Sequence, residues 1–230
     1  MIDLHSHILP GIDDGSQNLE MTKRLLRALD RQGVQTVVAT PHFYAVKDTP
    51  DAFLQRRQAA FAQISVLQDN YPLILPGAEV TYFDGMEHSG MLEQLQLGNS
   101  GLLLIEMPFC PWTQRMIRTI CDLPLHTGLT PVLAHVNRYR DRDQLPRYCD
   151  ALIASGALFQ CNAEAFTSLF SCRWALKQLD AGYIHFLGSD THNLTTRPPM
   201  LQQAAQVITR KRGANALERI TSFTEEMLKL

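Results

Sequence analysis

Short apolar runs alternate with segments of helical periodicity along the chain. Each apolar run has the length of a strand and leads into a polar or Gly/Pro-containing loop. Seven such runs predict strands at residues 2–5, 36–40, 73–75, 102–105, 131–134, 157–161 and 184–187. Apolar residues at helical spacing predict helices near residues 19–31, 53–68, 86–97, 112–121, 145–155, 174–179, 199–209 and 214–228.

The order of these elements predicts an α/β fold. Continuous apolar runs are typical of strands buried on both faces, and such strands form parallel sheets. We therefore expect a TIM-like barrel of about seven β/α units. No break in composition marks a linker, so residues 1–230 should form a single domain, with the helices after about residue 199 packed on the barrel. An open doubly wound sheet is the alternative, but it would want a Gly-rich phosphate loop after the first strand, and none is present.

Composition narrows the class of protein. The formal net charge of the 230 residues is −2 without runs of like charge, which argues against binding nucleic acid by bulk electrostatics. No apolar stretch reaches transmembrane length, so we expect no membrane insertion. The start of the chain lacks the features of a secretion signal, and the five cysteines form no C-x-x-C pair. These features predict a cytoplasmic protein with reduced thiols.

The cysteines do not fit a cysteine-dependent phosphatase. Such an enzyme needs an arginine six positions after the nucleophile, in a loop whose backbone N–H groups hold the phosphate. Cys110 is followed by Arg115 one position too early, and Pro111 removes one of the needed donors. The other cysteines have no matching arginine.

Side chains with metal-binding chemistry collect where the predicted strands end. Strand ends in a parallel barrel open on one face, so these groups should converge there. The alternative for Glu106 and Asp190 is capping of the next helix, but each follows a wholly apolar run where an unpaired carboxylate is costly. We do not expect the remaining three histidines to bind metal. His88 and His126 should face solvent, and His185 should lie in the core or be hydrogen-bonded. The nine predicted ligands are His5, His7, Asp14, His42, Glu79, Glu106, His135, Asp190 and His192.

Nine ligands suit a cluster of two or three ions. Imidazoles and carboxylates without thiolate favour manganese, iron or zinc. A multinuclear site with open positions provides a hydroxide nucleophile and polarises a phosphoryl or carbonyl oxygen. Arg138 and Arg197 follow His135 and His192 closely and should lie on the same face. Guanidinium groups bind phosphate bidentately, so these arginines favour phosphoester hydrolysis, although each taken singly could be a surface residue.

The order of these motifs resembles the PHP (polymerase and histidinol phosphatase) superfamily. The opening segment through Gly15 and the Arg197-Pro198-Pro199 ending are closer to one branch, the manganese-dependent tyrosine-protein phosphatases of bacterial capsule and exopolysaccharide operons. The motifs that carry the resemblance are His5-x-His7, Asp13-Asp14-Gly15, Thr40-Pro41-His42, Gly77-Ala78-Glu79, Ile105-Glu106, Ala134-His135 and Ser189-Asp190-x-His192-Asn193.

The resemblance implies a distorted (β/α)7 barrel, the PHP fold, with three Mn²⁺ ions, and phosphate bound by Arg138 and Arg197. It implies that the substrate is the phosphotyrosine tail of an autophosphorylating bacterial tyrosine kinase that regulates polymer export. It also divides the ligands among the ions: the first is held by His5, His7, Glu79 and Asp190, the second by Glu79 as a bridge with Glu106 and His135, and the third by Asp14, His42 and His192.

Two departures from the family pattern bear on the substrate. Asn137 stands where relatives often carry an acid, which could alter the orientation of Arg138, and residues 163–166 are bulkier than the usual Gly-Ser stretch. The alternatives are a small-molecule phosphatase of the histidinol-phosphate type and a metal-binding regulatory module without turnover. Because no strand-end residue is free to act as a general acid, we expect a preference for phenolic over alkyl leaving groups.

Overall fold

The computed structural model describes residues 1–65, 71–142 and 144–230. Residues 66–68 of the second predicted helix therefore lie outside the described residues. The strands are β1 (Ile2–Ser6), β2 (Thr36–Ala39), β3 (His42–Phe43), β4 (Leu73–Pro76), β5 (Glu79–Thr81), β6 (Leu102–Glu106), β7 (Thr130–Leu133), β8 (Leu158–Asn162) and β9 (Phe186–Gly188). The α-helices are α1 (Leu19–Arg31), α2 (Pro50–Ser65), α3 (Gln114–Thr127), α4 (Gln144–Ala154), α5 (Glu164–Thr167), α6 (Cys172–Asp180), α7 (Leu201–Arg212) and α8 (Ala214–Leu228).

The strands form a curled parallel sheet that closes as a distorted barrel. Two of the seven predicted strands are each followed by a further short strand that was not predicted: β3 comes after Pro41, and β5 comes after Gly77-Ala78. The segments pair in parallel in the orders β1-β2-β4 and β3-β5-β6-β7-β8-β9. The seam between β9 and β1 is closed by two backbone hydrogen bonds: Asp190 N donates to His5 O at 2.7 Å and His7 N to Thr191 O at 3.0 Å. The predicted parallel barrel is confirmed.

Alternate residues of the strands build two apolar layers. One layer lies inside the barrel and includes Leu4, Val38, Leu104, Val132 and Phe186, all without solvent exposure. Helix α8 contributes Leu228 and Phe223 to this cluster and contacts β1 and β9, so it covers one end of the barrel. The opposite set of strand residues packs against the other helices in a larger apolar cluster. The barrel interior is therefore apolar up to the level where the strands end.

Several predicted elements differ from the structure. Residues 86–97 are not one helix but two short 3₁₀ turns, Met86–His88 and Leu92–Leu95, because Ser89 is extended and Gly90 follows it. The helix predicted over 112–121 begins and ends later, with Thr113 as the N-cap and Gly128 as the left-handed C-cap. The pairing of β1 with β2 is irregular, because its register shifts between Asp3 and Ser6. In the described residues, no helix combines the length and apolarity that crossing a membrane requires.

Candidate metal centre

Glu79 lies at the centre of the predicted ligands. Its Oε2 is 3.2 Å from His5 Nε2, 3.3 Å from His7 Nε2 and 3.0 Å from His42 Nδ1. Its Oε1 is 2.8 Å from His135 Nε2. His5 lies in β1, His42 begins β3 and Glu79 begins β5, whereas His7 and His135 come just after β1 and β7. Glu79 is 1% exposed. One carboxylate therefore meets four imidazoles at the end of the barrel where the strands terminate.

The remaining ligands extend this cluster toward solvent. Asp190 Oδ1 lies 3.4 Å from His7 Nε2. Asp14 Oδ1 lies 3.3 Å from His192 Nε2 and 3.6 Å from His42 Nε2, and Asp14 is 66% exposed. These contacts join the outer ligands to the Glu79 group, so the cluster has a buried floor and an open side at Asp14.

Glu106 completes the set, with its Oε1 3.4 Å from His135 Nε2. All nine residues predicted from the strand ends are thus brought together. The ligand atoms of eight of them form three groups, within each of which the atoms lie within 4.8 Å of one another: His7, Asp14, His42 and His192; His5, His7 and Asp190; and His42, Glu79 and Glu106. His135 joins the cluster through its contacts with Glu79 and Glu106. Three overlapping groups fit a multinuclear centre, while the division of the ligands among individual ions stays a prediction.

Hydrogen bonds at the other ring nitrogens orient three of the imidazoles. His7 Nδ1 donates to Asp13 Oδ2 at 2.7 Å, His5 Nδ1 to Gln160 Oε1 at 3.1 Å, and His192 Nδ1 to the backbone oxygen of Asp190 at 3.0 Å. Because these partners are acceptors, each Nδ1 carries a proton, and in the neutral ring the Nε2 lone pair faces the cluster. This is the arrangement in which protein histidines bind metal ions.

Two distances fit a shared cation better than hydrogen bonds. The Nε2 atoms of His5 and His7 lie 3.1 Å apart, about the separation of two nitrogens bound at right angles to one ion. His42 Nδ1 and His192 Nε2 are buried and make no hydrogen bond within the described part of the chain, although carboxylate oxygens lie 3.0 and 3.3 Å away. Buried polar atoms without a hydrogen bond are rare in proteins. The donor set therefore fits metal ions.

The charges of the site point the same way. Burial would raise the pKa of Glu79, but His5, His135 and His7 hold it well below its usual range. Burial would lower the pKa of His7, but its contacts with Asp13 and Glu79 raise it to about 10. His192 is different, because burial, together with His7 and Arg197, lowers its pKa to about 4. Ionised carboxylates in a buried site require positive charge, which bound cations supply most directly.

The backbone is strained at two of the ligands. His135 has φ 32° and Asp190 has φ 51°, in the left-handed region that residues other than glycine rarely adopt. These residues follow β7 and β9, and the turn directs both side chains over the barrel end. Gly188 permits close packing there, since a Cβ atom would lie 2.7 Å from both His5 Cβ and Gln160 Nε2. Strain of this kind is typical of functional sites.

Both predicted arginines reach the same centre. Arg138 donates through Nη2 to Asp190 Oδ2, and Arg197 donates through Nη2 to Asp190 Oδ1 at 2.7 Å. Arg197 Nη1 also lies 3.9 Å from Asp14 Oδ2. The arginine side chains are 29% and 32% exposed, so they stand at the mouth of the site. Neither is an isolated surface residue.

The two departures from the family pattern have structural explanations. The side-chain oxygen of Asn137 accepts a hydrogen bond of 2.9 Å from Asn162 N, so it fastens the end of β8. Ala163, Ala165 and Phe166 are almost fully buried, whereas Glu164 is exposed. Glu164 and Ala165 nevertheless line the cavity that also contains Asn137 and Arg138, so the influence of this segment on the substrate stays a prediction.

The expectations for the other histidines are confirmed. His88 and His126 are exposed. The ring of His185 accepts a hydrogen bond of 3.0 Å from Phe159 N.

Sequence reasoning missed an amide network on β8. Gln160 Oε1 accepts from His5 Nδ1 and, at 2.7 Å, from His135 N. Gln160 Nε2 donates to Asn162 Oδ1 at 3.0 Å, and Asn162 Nδ2 donates to Asp190 Oδ2 at 2.9 Å. Polar residues at alternate positions of an otherwise apolar strand were the available signal. Asp13 was missed as the partner of His7, although it stands beside Asp14 in the Asp13-Asp14-Gly15 motif.

Comparison with known proteins gives consistent matches over the whole chain. The tyrosine-protein phosphatase YwqE of Bacillus subtilis is 32% identical over 236 residues, covering 100% of this chain and 92% of YwqE. The tyrosine-protein phosphatase CpsB of Streptococcus pneumoniae is 34% identical over 229 residues, covering 93% of this chain and 92% of CpsB.

The structural comparisons agree. A crystal structure from work on YwqE and CpsB, described there as unique metal-dependent tyrosine phosphatases, superposes with a TM-score of 0.86 at 29% identity, covering 100% of this chain and 94% of that one. A histidinol phosphate phosphatase from Lactococcus lactis has a TM-score of 0.60 at 14% identity, covering 92% and 93% of the two chains, which shows a shared fold. The family model for capsular polysaccharide synthesis proteins CpsB/CapC matches residues 1–228. The chain therefore belongs to the CpsB/CapC family.

Proposed function

We propose that the protein is a metal-dependent phosphomonoester hydrolase that acts on phosphotyrosine in proteins. The observation that carries this proposal is the placement of two arginines at the mouth of a nine-ligand centre, where both contact Asp190. Guanidinium groups recognise phosphoryl oxygens with paired N–H donors. The names of the relatives, tyrosine-protein phosphatases, support the same reaction.

The nine residues of the centre would hold the metal ions, for which we propose three Mn²⁺ ions, with iron or zinc as the other choices that this donor set allows. Bound ions of this type supply a hydroxide nucleophile and neutralise charge on phosphoryl oxygens. The chain's own residues orient the substrate. Arg138 and Arg197 each use one nitrogen on Asp190, which leaves other N–H groups of each fork for the phosphate.

The leaving group follows from the residues that are absent from the site. Every described histidine and carboxylate of the cluster is assigned to metal, and an arginine does not give up its proton. A phenol, with a pKa of about 10, departs without protonation far more readily than an alkyl alcohol does. The centre should therefore favour phosphotyrosine over phosphoserine.

An exposed aromatic ring beside the centre supports an aromatic substrate. Phe109 is 43% exposed and stacks on His135, with ring centroids 6.0 Å apart and an interplanar angle of 17°. It lines a cavity of about 530 Å³ together with Asn137 and Arg138. A tyrosyl ring entering this cavity would place its phosphate toward Arg138. We propose that the substrate is the phosphotyrosine tail of a bacterial tyrosine autokinase, encountered in the cytoplasm.

The test combines metal analysis with three substrates. The purified protein is loaded with manganese, iron or zinc, its metal content is measured, and rates are compared on a phosphotyrosine peptide, the matching phosphoserine peptide and histidinol phosphate. We expect up to three ions per chain and fastest turnover of the phosphotyrosine peptide. Equal or faster hydrolysis of histidinol phosphate would favour the small-molecule phosphatase. No turnover at full metal loading would favour a regulatory metal-binding module.

A further inference from the structure

A second, positively charged groove adjoins the cavity that contains Arg138. It has a volume of about 440 Å³ and lies between α5, the start of α6 and the end of α7. Buried Phe166 and Leu176 contribute to its lining, and Ser168 lines both this groove and the cavity beside the metal centre. The two spaces are therefore neighbours on either side of Ser168. We call it the basic groove and define it by its four cationic residues, Arg173, Arg210, Lys211 and Arg212.

The charge of the basic groove is largely uncompensated. Arg212 pairs with Asp180, with Nη2 2.7 Å from Oδ2. Within the described ranges, Arg173, Arg210 and Lys211 make no ion pair, and no acidic residue other than Asp180 is paired with the groove. All three are exposed. The chain as a whole has a net charge of −2, so this concentration of positive charge is local.

Helix electrostatics explains only part of this pattern. Arg210, Lys211 and Arg212 occupy the last turn of α7, where positive charge interacts favourably with the helix dipole. Arg173 lies in the first turn of α6, where the dipole disfavours a cation. Its presence in the same groove therefore calls for another reason, and an anionic ligand supplies one.

We propose that the basic groove binds an acidic segment of the same polypeptide whose phosphotyrosine enters the metal centre, an inference that rests on the proposed function. Because the groove and the cavity share Ser168 in their linings, one extended chain can reach from one site to the other. The apolar lining and the 95% exposed side chain of Leu169 at its edge suit a peptide with aliphatic as well as acidic residues. The groove would thus select substrates by sequence, whereas the metal centre selects the phosphoester.

The expected effect is modest and sensitive to salt. Each exposed ion pair contributes little to the free energy of binding. Loss of two pairs between groove arginines and peptide carboxylates should therefore lower kcat/KM for an acidic peptide by about three- to tenfold at low ionic strength. Most of the change should appear in KM, because these contacts lie away from the reacting atoms, and it should diminish as salt is added.

The experiment uses the full-length, metal-loaded protein and three phosphotyrosine peptides. The first has acidic residues before the tyrosine, the second has them after it, and the third has Asn and Gln in place of the acidic residues. The groove variant is Arg173→Ala with Arg210→Ala. A matched control, Arg24→Ala with Arg118→Ala, removes two exposed arginines from other helices. We expect the native protein and the control to prefer one acidic peptide, and the groove variant to lose that preference. Rates on p-nitrophenyl phosphate should stay equal in all three proteins.

The outcomes separate this inference from the proposed function. Equal rates on acidic and neutral phosphotyrosine peptides, or a preference retained in the groove variant, would overturn the basic groove while leaving the phosphatase intact. Absence of turnover on every phosphotyrosine peptide and on p-nitrophenyl phosphate would overturn both. A membrane surface is the other anionic ligand to test, and vesicles containing phosphatidylglycerol are the probe. If the native protein and the control bind these vesicles, the groove variant does not, and the peptide preference is unchanged, the groove belongs to a membrane surface instead.

Discussion

The two ends of the barrel are both buried, but one is apolar and the other is ionisable. At the end covered by α8, Leu4, Val132 and Phe186 are fully buried and apolar, so packing and the hydrophobic effect stabilise the fold. At the other end, Glu79 and its neighbours are equally buried but ionisable, and His135 and Asp190 adopt strained backbone angles. The comparison teaches that burial alone does not identify the core: one buried end holds the fold together, and the other is arranged for ligands.

The largest effect on folding should come from the covered end. Phe186→Ala should remove a side chain without solvent exposure and lower the free energy of unfolding by about 3–5 kcal/mol, because it deletes buried surface and leaves a cavity. Chemical denaturation with metal present would measure this. The fraction of protein that remains folded should keep native turnover. A large loss of turnover in fully folded Phe186→Ala protein would show that the two ends are not separable.

The next largest effect should come from the centre of the ligand cluster. Glu79→Ala removes the carboxylate that contacts four imidazoles, so metal stoichiometry should fall and turnover should drop by more than about 100-fold. Elemental analysis and steady-state rates check both expectations. Glu93→Ala, at an exposed position away from the centre, is the control. A Glu79→Ala protein with full metal and full rate would refute the cluster.

The arginines should separate substrate binding from metal binding. Arg197→Ala should lower turnover on the order of 100-fold, because a charged contact to the phosphate that strengthens in the transition state is lost. Metal content should stay unchanged. Arg197→Lys should recover only part of the rate, since an ammonium group lacks the paired donors. Unaltered activity in Arg197→Ala would make Arg197 a residue of the rim without a role in phosphate binding.

The smallest effect should come from the residues behind the ligands. Asp13→Asn weakens the acceptor for His7 Nδ1 and should reduce metal affinity by about 10- to 100-fold, with turnover recovered at saturating metal. Titration of activity against free manganese measures the shift. Asp51→Asn at an exposed position on α2 is the matched control. An identical metal titration for Asp13→Asn and the native protein would indicate that the cluster orients His7 without Asp13.

The sequence by itself determined the barrel and the nine side chains that converge at its end. Strand periodicity is a local property, and the ends of parallel strands meet on one face, so Glu106 and His135 could be placed without coordinates. Local signals also located Arg138 and Arg197. The break in residues 86–97 was not predicted, because the buried apolar residues there fit a helix as well as two 3₁₀ turns.

Only the tertiary structure decided how the ligands are held. Gln160 bonds His5 across 155 residues of sequence, and Asp190 receives both arginines, the nearer of them seven residues away and the other 52. The left-handed angles of His135 and Asp190 likewise persist only where surrounding contacts enforce them. The basic groove joins charges from α6 and α7 that the sequence keeps apart. These features depend on contacts between residues distant along the chain, and local propensity carries no information about such contacts.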